Sequence, residues 1–542
     1  MRGGRLVATA VLLGACGGPA AMPGVAPSSA PATFPASSAV PSPPLPPAVV
    51  DASRQHLTLF VDDRPIRPGT CAAASVSIAS GRPRVSLQWR SGGSSWRPWP
   101  VGPARGIHRG AVSLPLCPGW SDEPLEVRSV AEHVRPSPAE RVHARAAPWM
   151  QELEALIGHR PLSASVMVDG SFLYGHLAAI RRAPASNEKV LLSMALLDRF
   201  GPDDRIATVA ASRARMRKGV VHGDLYLVGQ GDPELADEDL HRLALRLRAA
   251  GLVRVDGAVV GDTGTFMRDR HAWGWHPIAL RYIGLPTALS YRTNVDANGF
   301  VFHPELAAAE ALEAELRALG VRVGAHPARD DRAPDGLRTI AAVRSARLEE
   351  ILWRQNVSSI NLAAETLSKA LATEALGVPG SIADGASVIE RWANGLDADV
   401  TLHDASGLSY RNRVSTASMA ALLDHALRRG WGDALMSSLP KPGEGTLGGR
   451  LSGLPVRAKT GTLIRDVSAL SGYVRLRDGR LASFSIMSAL PKSVAVAFED
   501  EIVRTIATNA DPPTSPDDRR NGTFGEFPRE GPRESLQRAE GG

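Results

Sequence analysis

Pro184-Ala185-Ser186-Asn187-Glu188-Lys189, followed by Val190-Leu191-Leu192-Ser193-Met194-Ala195-Leu196-Leu197, puts a serine and a lysine three residues apart at the head of an apolar run of helical type. Residues at that spacing share a helix face, so Ser186 and Lys189 sit one turn from each other. Burial and the partial positive charge of a helix N-terminus both favour the neutral amine, which can take the proton of the serine hydroxyl. Of 62 Lys and Arg, only six are lysine (189, 218, 369, 441, 459 and 492). Where arginine fills almost every basic role, a retained lysine suits the one task arginine cannot do, which is to lose its proton. The spacing recurs at Ser438-Leu439-Pro440-Lys441, but there Pro440 opposes an interior helical position.

The chain around this stretch is long and globular. Its 542 residues leave room for about three domains, and 44% hydrophobic residues suffice for packed cores. A net charge of +6 is a slight excess for this length and calls for no nucleic acid. Residues 1–15 combine Arg2 and Arg5 with an apolar run, Leu6 to Leu13, and end in small residues before Cys16. That is an export signal, too short to span a bilayer. Leu13-Gly14-Ala15-Cys16 resembles a bacterial lipobox, which makes Cys16 the lipidated first residue of a mature chain anchored to a membrane. Two cysteines then remain, Cys71 and Cys117, and an even pair in an exported protein reads as a disulfide.

Residues 16–50 are rich in Pro, Ala and Ser and form a semi-extended tether. Residues 51–133 read as a small β-rich domain, with His56–Val61 and Val85–Trp89 as short strands between Gly/Pro breaks. From Arg64 to Ser121 there are eight arginines and no Asp or Glu, with Trp89, Trp96, Trp99 and Trp120 interspersed. A core of aromatic residues under a basic solvated face accounts for this more simply than a polymer-holding surface does. Beyond residue 146 the texture changes. Trp149 to Ile157 is helical in pattern, and Asp169-Gly170 and Asp478-Gly479 each join two apolar runs as hairpin turns. Residues 206–344 form an intervening region, and 509–542, poor in apolar residues, read as a disordered tail.

Two further clusters follow the serine–lysine pair in order: Ser359-Ile360-Asn361, then Lys459-Thr460-Gly461-Thr462. Each alone is ordinary, the first as a helix start and the second as a strand end. Together, and with Gly223-Asp224-Leu225-Tyr226-Leu227-Val228-Gly229-Gln230-Gly231-Asp232-Pro233, Asp404-Ala405-Ser406-Gly407-Leu408-Ser409 and Ser471-Gly472-Tyr473-Val474, they resemble the D-alanyl-D-alanine carboxypeptidase/endopeptidase family (peptidase family S13, class C low-molecular-weight penicillin-binding proteins). The resemblance covers about residues 146 to 505.

It implies an α/β fold in which a β-lactamase/penicillin-binding-protein-like catalytic domain, an antiparallel sheet flanked by helices, is formed by 146–205 and 345–508 and split by the inserted 206–344. It also implies roles: Ser186 as nucleophile, Lys189 as base, Ser359 as proton relay and Asn361 as holder of substrate and lysine. Lys459, Thr460, Gly461 and Thr462 would bind the substrate's terminal carboxylate, with the Ser186 and Thr462 N–H groups on the oxyanion. No cofactor is implied, and the fourteen histidines show no metal-ligand spacing. The implied partners are peptidoglycan and, as inhibitors, β-lactams. The implied place is the periplasmic face of a bacterial membrane, the outer one favoured because Gly17 is not aspartate.

Two positions depart from the family pattern. Ile360 stands where the family usually has aspartate, and Glu188 adds a carboxylate beside the reacting pair. Two alternatives compete with the carboxypeptidase. A serine β-lactamase would need a Glu-x-x-Leu-Asn segment, and Glu390-Arg391-Trp392-Ala393-Asn394 lacks the leucine. A non-catalytic lipoprotein would hold cell-wall polymer through residues 51–133.

Overall fold

In the computed structural model the described residues are 56–510, apart from 62–65, 67–71, 80–82, 92–95, 99–104, 107–110, 117–119, 123–124 and 143. The signal segment, tether, tail, Cys16, Cys71 and Cys117 lie outside them.

A helix α1 (Pro148–Ile157) leads into the hairpin β1 (Leu162–Val168) and β2 (Ser171–His176), and then into α2 (Glu188–Phe200). After the insertion come α3 (Leu348–Ser358), α4 (Asn361–Leu376), α5 (Thr416–Ala426), β3 (Val456–Leu463), β4 (Val467–Arg475), β5 (Leu481–Ser488) and α6 (Lys492–Asn509). The sheet order is β3-β4-β5-β1-β2, every neighbour antiparallel, so strands from before and after the insertion share one sheet and meet at the β5–β1 pair. Both Asp-Gly turns close hairpins of this sheet, β1–β2 and β4–β5.

Side-chain alternation explains why both faces of the sheet can be covered. Leu162, Ala164, Val166 and Val168 of β1 join Leu153 and Ile157 of α1 and Ile502 and Ile506 of α6 in one core. The opposite face is lined by serines. Ser165 shares a hydrogen bond of 2.9 Å with Thr416, and Ser483 donates to the Ala420 carbonyl at 2.9 Å, so α5 lies close on small satisfied side chains. A second apolar core gathers α2, α3, α4 and α5 through Leu191, Leu192, Leu352, Leu367 and Leu423.

The region 207–344 has a core of its own. Strands Ala207–Ser212, Leu225–Gly229, Val259–Asp262, Arg329–Asp331 and Arg338–Arg344 make a mixed five-stranded sheet. Helices Asp237–Ala249 and Pro304–Ala318 cover it with Leu240, Leu243, Leu247, Leu312 and Leu316. Between these elements, residues 263–303 run irregularly back to the catalytic half, where Trp275 and Ile283 pack with Ile360, Leu362 and Ile382. Ile360 thus has a packing role. The aliphatic chain at the middle of the second motif seats the returning loop.

The N-terminal strands do not stop at residue 133. Glu140–Val142 extends the ladder of Arg84–Ser91 and Leu125–Ala131, with one inward residue, Val142, too short a pattern to read from sequence. Their core includes Met167, Phe172, Ala417 and Ala420 of the catalytic half. Trp89 packs tilted against Phe172, ring centroids 4.9 Å apart, and Trp120 stacks on Tyr174 at 5.8 Å. Trp120–Ser121 adds a short parallel strand beside β2. These two tryptophans are therefore packing residues, while the guanidinium groups of Arg90 and Arg128 each lie over the Trp96 ring, at 4.6 and 4.3 Å.

Candidate active site

Ser186 occupies a single helical turn, Ala185–Asn187, immediately before α2, and is half-buried at the cleft. Lys189, in the first turn of α2, is wholly buried. Its Nζ donates to Ser186 Oγ at 3.0 Å, to Asn361 Oδ1 at 2.8 Å and to the Ser406 carbonyl at 2.5 Å. Burial pulls its pKa down to about 8, against an opposing pull led by Asp404 and Glu365. A lysine of that pKa is partly free base near neutrality and lies within reach of the serine proton.

Ser359 caps α3 in a left-handed conformation, φ 56°, and Asn361 opens α4 two residues later. The tight reversal points the hydroxyl and the amide into the same cleft. A left-handed non-glycine residue is held there by its surroundings. Ser359 Oγ accepts from Lys459 Nζ at 3.0 Å, and Asn361 Nδ2 donates to the Tyr282 carbonyl at 3.1 Å. Lys459 is itself fully buried on β3, and burial and then Lys189 push its pKa well below the ordinary lysine value.

Strand β3 is the edge of the sheet and passes next to the Ser186 turn. A Cβ on Gly461 would lie 2.6 Å from the Pro184 carbonyl and 3.1 Å from Ser186 N. Gly407, at φ 82°, approaches from the other side; its Cβ would lie 1.9 Å from the Ala185 carbonyl. Both glycines are required by close backbone approach, which brings the edge strand and the Asp404–Ser409 loop against the nucleophile.

The resulting cleft, about 390 Å³, is lined by Ser186, Ser359, Asn361 and Thr462, with an apolar wall that includes Ile278, Tyr282, Leu408 and Ile464. Ser186, Lys189, Ser359, Asn361, Lys459 and Thr462 are therefore gathered in one place. Thr460 and Gly461 lie on the same strand, with Lys459 behind the cleft wall and turned to Ser359. The wall from the insertion was missed in the sequence, although Trp273 to Tyr282 is an aromatic-rich stretch that could have marked it. The Ser406 carbonyl and its loop were seen only as a motif without a role. Ser438 and Lys441 stand apart from all this, Ser438 on the Leu435 carbonyl and Lys441 beside Glu444. Glu390 spends its carboxylate on the Leu402 N–H at 2.8 Å, away from the cleft.

Asp122, Glu154 and His176 bring one ligand-type atom each within 4.8 Å of one another, the donor set of a divalent-cation site. Their spacing in sequence carries no such signal. The trio is closed by its own contacts: His176 Nδ1 lies 3.0 Å from Glu154 and 3.4 Å from Asp122, and Tyr174 OH donates to Glu154 at 2.7 Å.

Among known proteins, the family described as D-Ala-D-Ala carboxypeptidase 3 (S13) matches residues 162–298 and 290–509. A D-alanyl-D-alanine carboxypeptidase of Actinomadura sp. is 30% identical over 514 residues, covering 76% of this chain and 93% of the relative. A carboxypeptidase of Mycobacterium tuberculosis is 28% identical over 355 residues, 59% of this chain and 74% of its own. In structure, penicillin binding protein 4 from Haemophilus influenzae superposes with a TM-score of 0.58 at 20% identity, over 67% of this chain and all of that one. That likeness supports the penicillin-binding-protein-like fold.

Proposed function

Since the chain belongs to the D-Ala-D-Ala carboxypeptidase 3 (S13) family, we propose that it is a serine-type D-alanyl-D-alanine carboxypeptidase/endopeptidase acting on peptidoglycan stem peptides through an acyl-enzyme. The observation that carries this reading is the buried amine of Lys189, 3.0 Å from Ser186 Oγ with a pKa near 8.

Ser186 Oγ gives its proton to Lys189 Nζ and bonds to the carbonyl carbon of the penultimate D-alanine. The oxyanion that forms is held by backbone N–H groups of Ser186 and Thr462, at the edge where β3 meets the nucleophile turn. Collapse breaks the C–N bond, and the leaving amine takes a proton by way of Ser359, which Lys459 orients. Asn361 holds Lys189 and a substrate amide. Thr460 and Thr462 receive the terminal carboxylate, with the Lys459 charge behind them. Water then attacks the ester and frees Ser186. β-Lactams enter the same step as inhibitors, because their leaving amine stays tethered.

The same proposal places the chain outside the cytoplasmic membrane, exported and held by lipid on Cys16 at the periplasmic face, with Cys71 and Cys117 joined. Among the described residues no helix is long and apolar enough to cross a membrane. Cys16→Ala would then shift the protein from the membrane fraction to the soluble periplasmic fraction. The activity is tested with a fluorescent penicillin. A stable band in the wild type, lost in Ser186→Ala, supports the acyl-enzyme; no band in folded wild type overturns it. Release of D-alanine from a pentapeptide, against cleavage of a cross-linked dimer, then separates the two activities.

A further inference from the structure

Beneath Lys189 lie three carboxyl groups, all of them fully buried: Glu188, Glu365 and Asp404. Asp404 is well provided with donors, Glu365 only on one oxygen. Asp404 accepts from Trp275 Nε1 at 2.5 Å, Ser409 N at 2.8 Å, Gly407 N at 3.0 Å and Asn412 Nδ2 at 2.7 Å. Glu365 accepts on Oε1 from the N–H groups of Ala405 at 3.0 Å and Ser406 at 2.7 Å, while among the described residues its Oε2 finds no donor. Those bonds shape the loop whose Ser406 carbonyl holds Lys189.

Glu188 differs. It receives one hydrogen bond, from Asn412 Nδ2 to Oε2, and among the described residues Oε1 finds no donor. The charged groups facing it are Asp404, Glu365 and Lys189, and Asn412 Nδ2 donates to both Glu188 Oε2 and Asp404 Oδ1, so the two carboxyl groups share one amide. Two buried carboxyl groups gathered on one amide do not both stay ionised. Asp404 already holds five donors, Ser406 Oγ at 3.5 Å among them, against one for Glu188, so of the two the proton resides on Glu188.

We propose that Glu188 is a positioning residue that works as a neutral acid, donating its O–H to Asp404, accepting from Asn412, and sparing Lys189 a further anionic neighbour. The proposal rests on Lys189 being the base. An ionised Glu188 would hold a proton on the lysine and remove the base; a neutral one keeps the loop under Ser406 tied to α2 without that effect. Burial and the charges of Asp404 and Glu365 push the Glu188 pKa well above the ordinary carboxylate range, in agreement with this assignment.

Glutamine reproduces the neutral acid, with Nε2–H as donor and Oε1 as acceptor; leucine has its bulk and neither function. The test is the pH profile of penicillin acylation in the full chain, together with wild-type minus Glu188→Gln infrared difference spectra at pH 7. Glu188→Gln keeps the acylation rate within about twofold and leaves the acidic limb in place, while Glu188→Leu slows acylation about tenfold and moves that limb to higher pH. The difference spectrum contains the carbonyl band of a protonated carboxylic acid. A Glu188→Gln limb displaced to lower pH by about one unit, the mark of a lost anion, overturns the proposal. So does the absence of the band, or a folded Glu188→Leu that behaves as wild type. If the leucine variant does not fold, the glutamine profile and the spectrum decide. Failure of the wild type to acylate would refute the proposed function, and the infrared band would still report the proton on Glu188.

Discussion

Lys189 and Lys369 are both wholly buried, on adjacent helices, and their surroundings are opposite in kind. Lys369 Nζ reaches the carbonyls of Met267, Asp269 and Pro286 at 2.9, 3.3 and 3.0 Å and the Asp269 carboxylate at 2.6 Å. Acceptors with no proton to exchange surround it, so its ammonium is a fixed pin between α4 and the loop that forms the cleft wall. Lys189 meets one carbonyl, one amide oxygen and one hydroxyl, and its acidic neighbours act from a distance. Burial lowers both pKa values. The difference lies in whether a contact carboxylate restores the charge. One buried lysine is built to keep its proton and the other to exchange it.

Arginine separates the two most sharply. Lys189→Arg cannot act as base and should lower penicillin acylation by roughly 10³-fold or more, measured by rate of band formation, in protein that melts near the wild type. Retained acylation would remove the distinction between the two sites. Lys369→Met leaves Asp269 and three carbonyls without their cation and should cost about 3 kcal/mol of stability. Thermal unfolding measures it; an unchanged melting temperature would show that the pin carries no load.

The next effect is one of pH. Acylation should rise about tenfold per unit from the acid side and level off near pH 8, because only the neutral Lys189 amine accepts the Ser186 proton. A flat profile between pH 6 and 8 would assign the base to another group.

His176, a buried histidine, gives the smallest change. The His176 pKa is raised by its hydrogen bond to Glu154 and the charges of Asp122 and Glu154, which outweigh burial, the largest single effect and an opposing one. The Asp122 pKa is raised too, chiefly by burial. Both groups bind protons more tightly when folded. The contribution of His176 is therefore complete below its ordinary 6.5 and lost as pH rises through the raised value. Replacing His176 with glutamine should cost about 1 kcal/mol at pH 6 and less at pH 9, read from urea unfolding. An equal loss at both pH values would mean the trio acts by packing alone.

Much of the site was legible because its signals are local. Ser186 and Lys189 lie one helical turn apart, Ser359 and Asn361 flank one reversal, and Lys459 to Thr462 is a single strand. The departure at Glu188 was visible as a charge, but not as a buried neutral acid, because its partners Asp404 and Asn412 arrive from more than 200 residues away. Ile360 looked like a lost aspartate and proved to be the seat of the loop that brings Tyr282 to the cleft. The end of the N-terminal ladder at Val142 was missed, since a strand with one inward residue has too little periodicity to be seen.

Taken alone, the sequence determined the three motif clusters and, through their resemblance, the family and the antiparallel sheet that the family implies, because motif spacing is a property of neighbouring residues. Tertiary structure decided which lysine can lose its proton, which serine hydroxyl each lysine meets, and where the cleft wall comes from. Proton affinity depends on burial and on charges brought in from distant segments, and no local pattern encodes either.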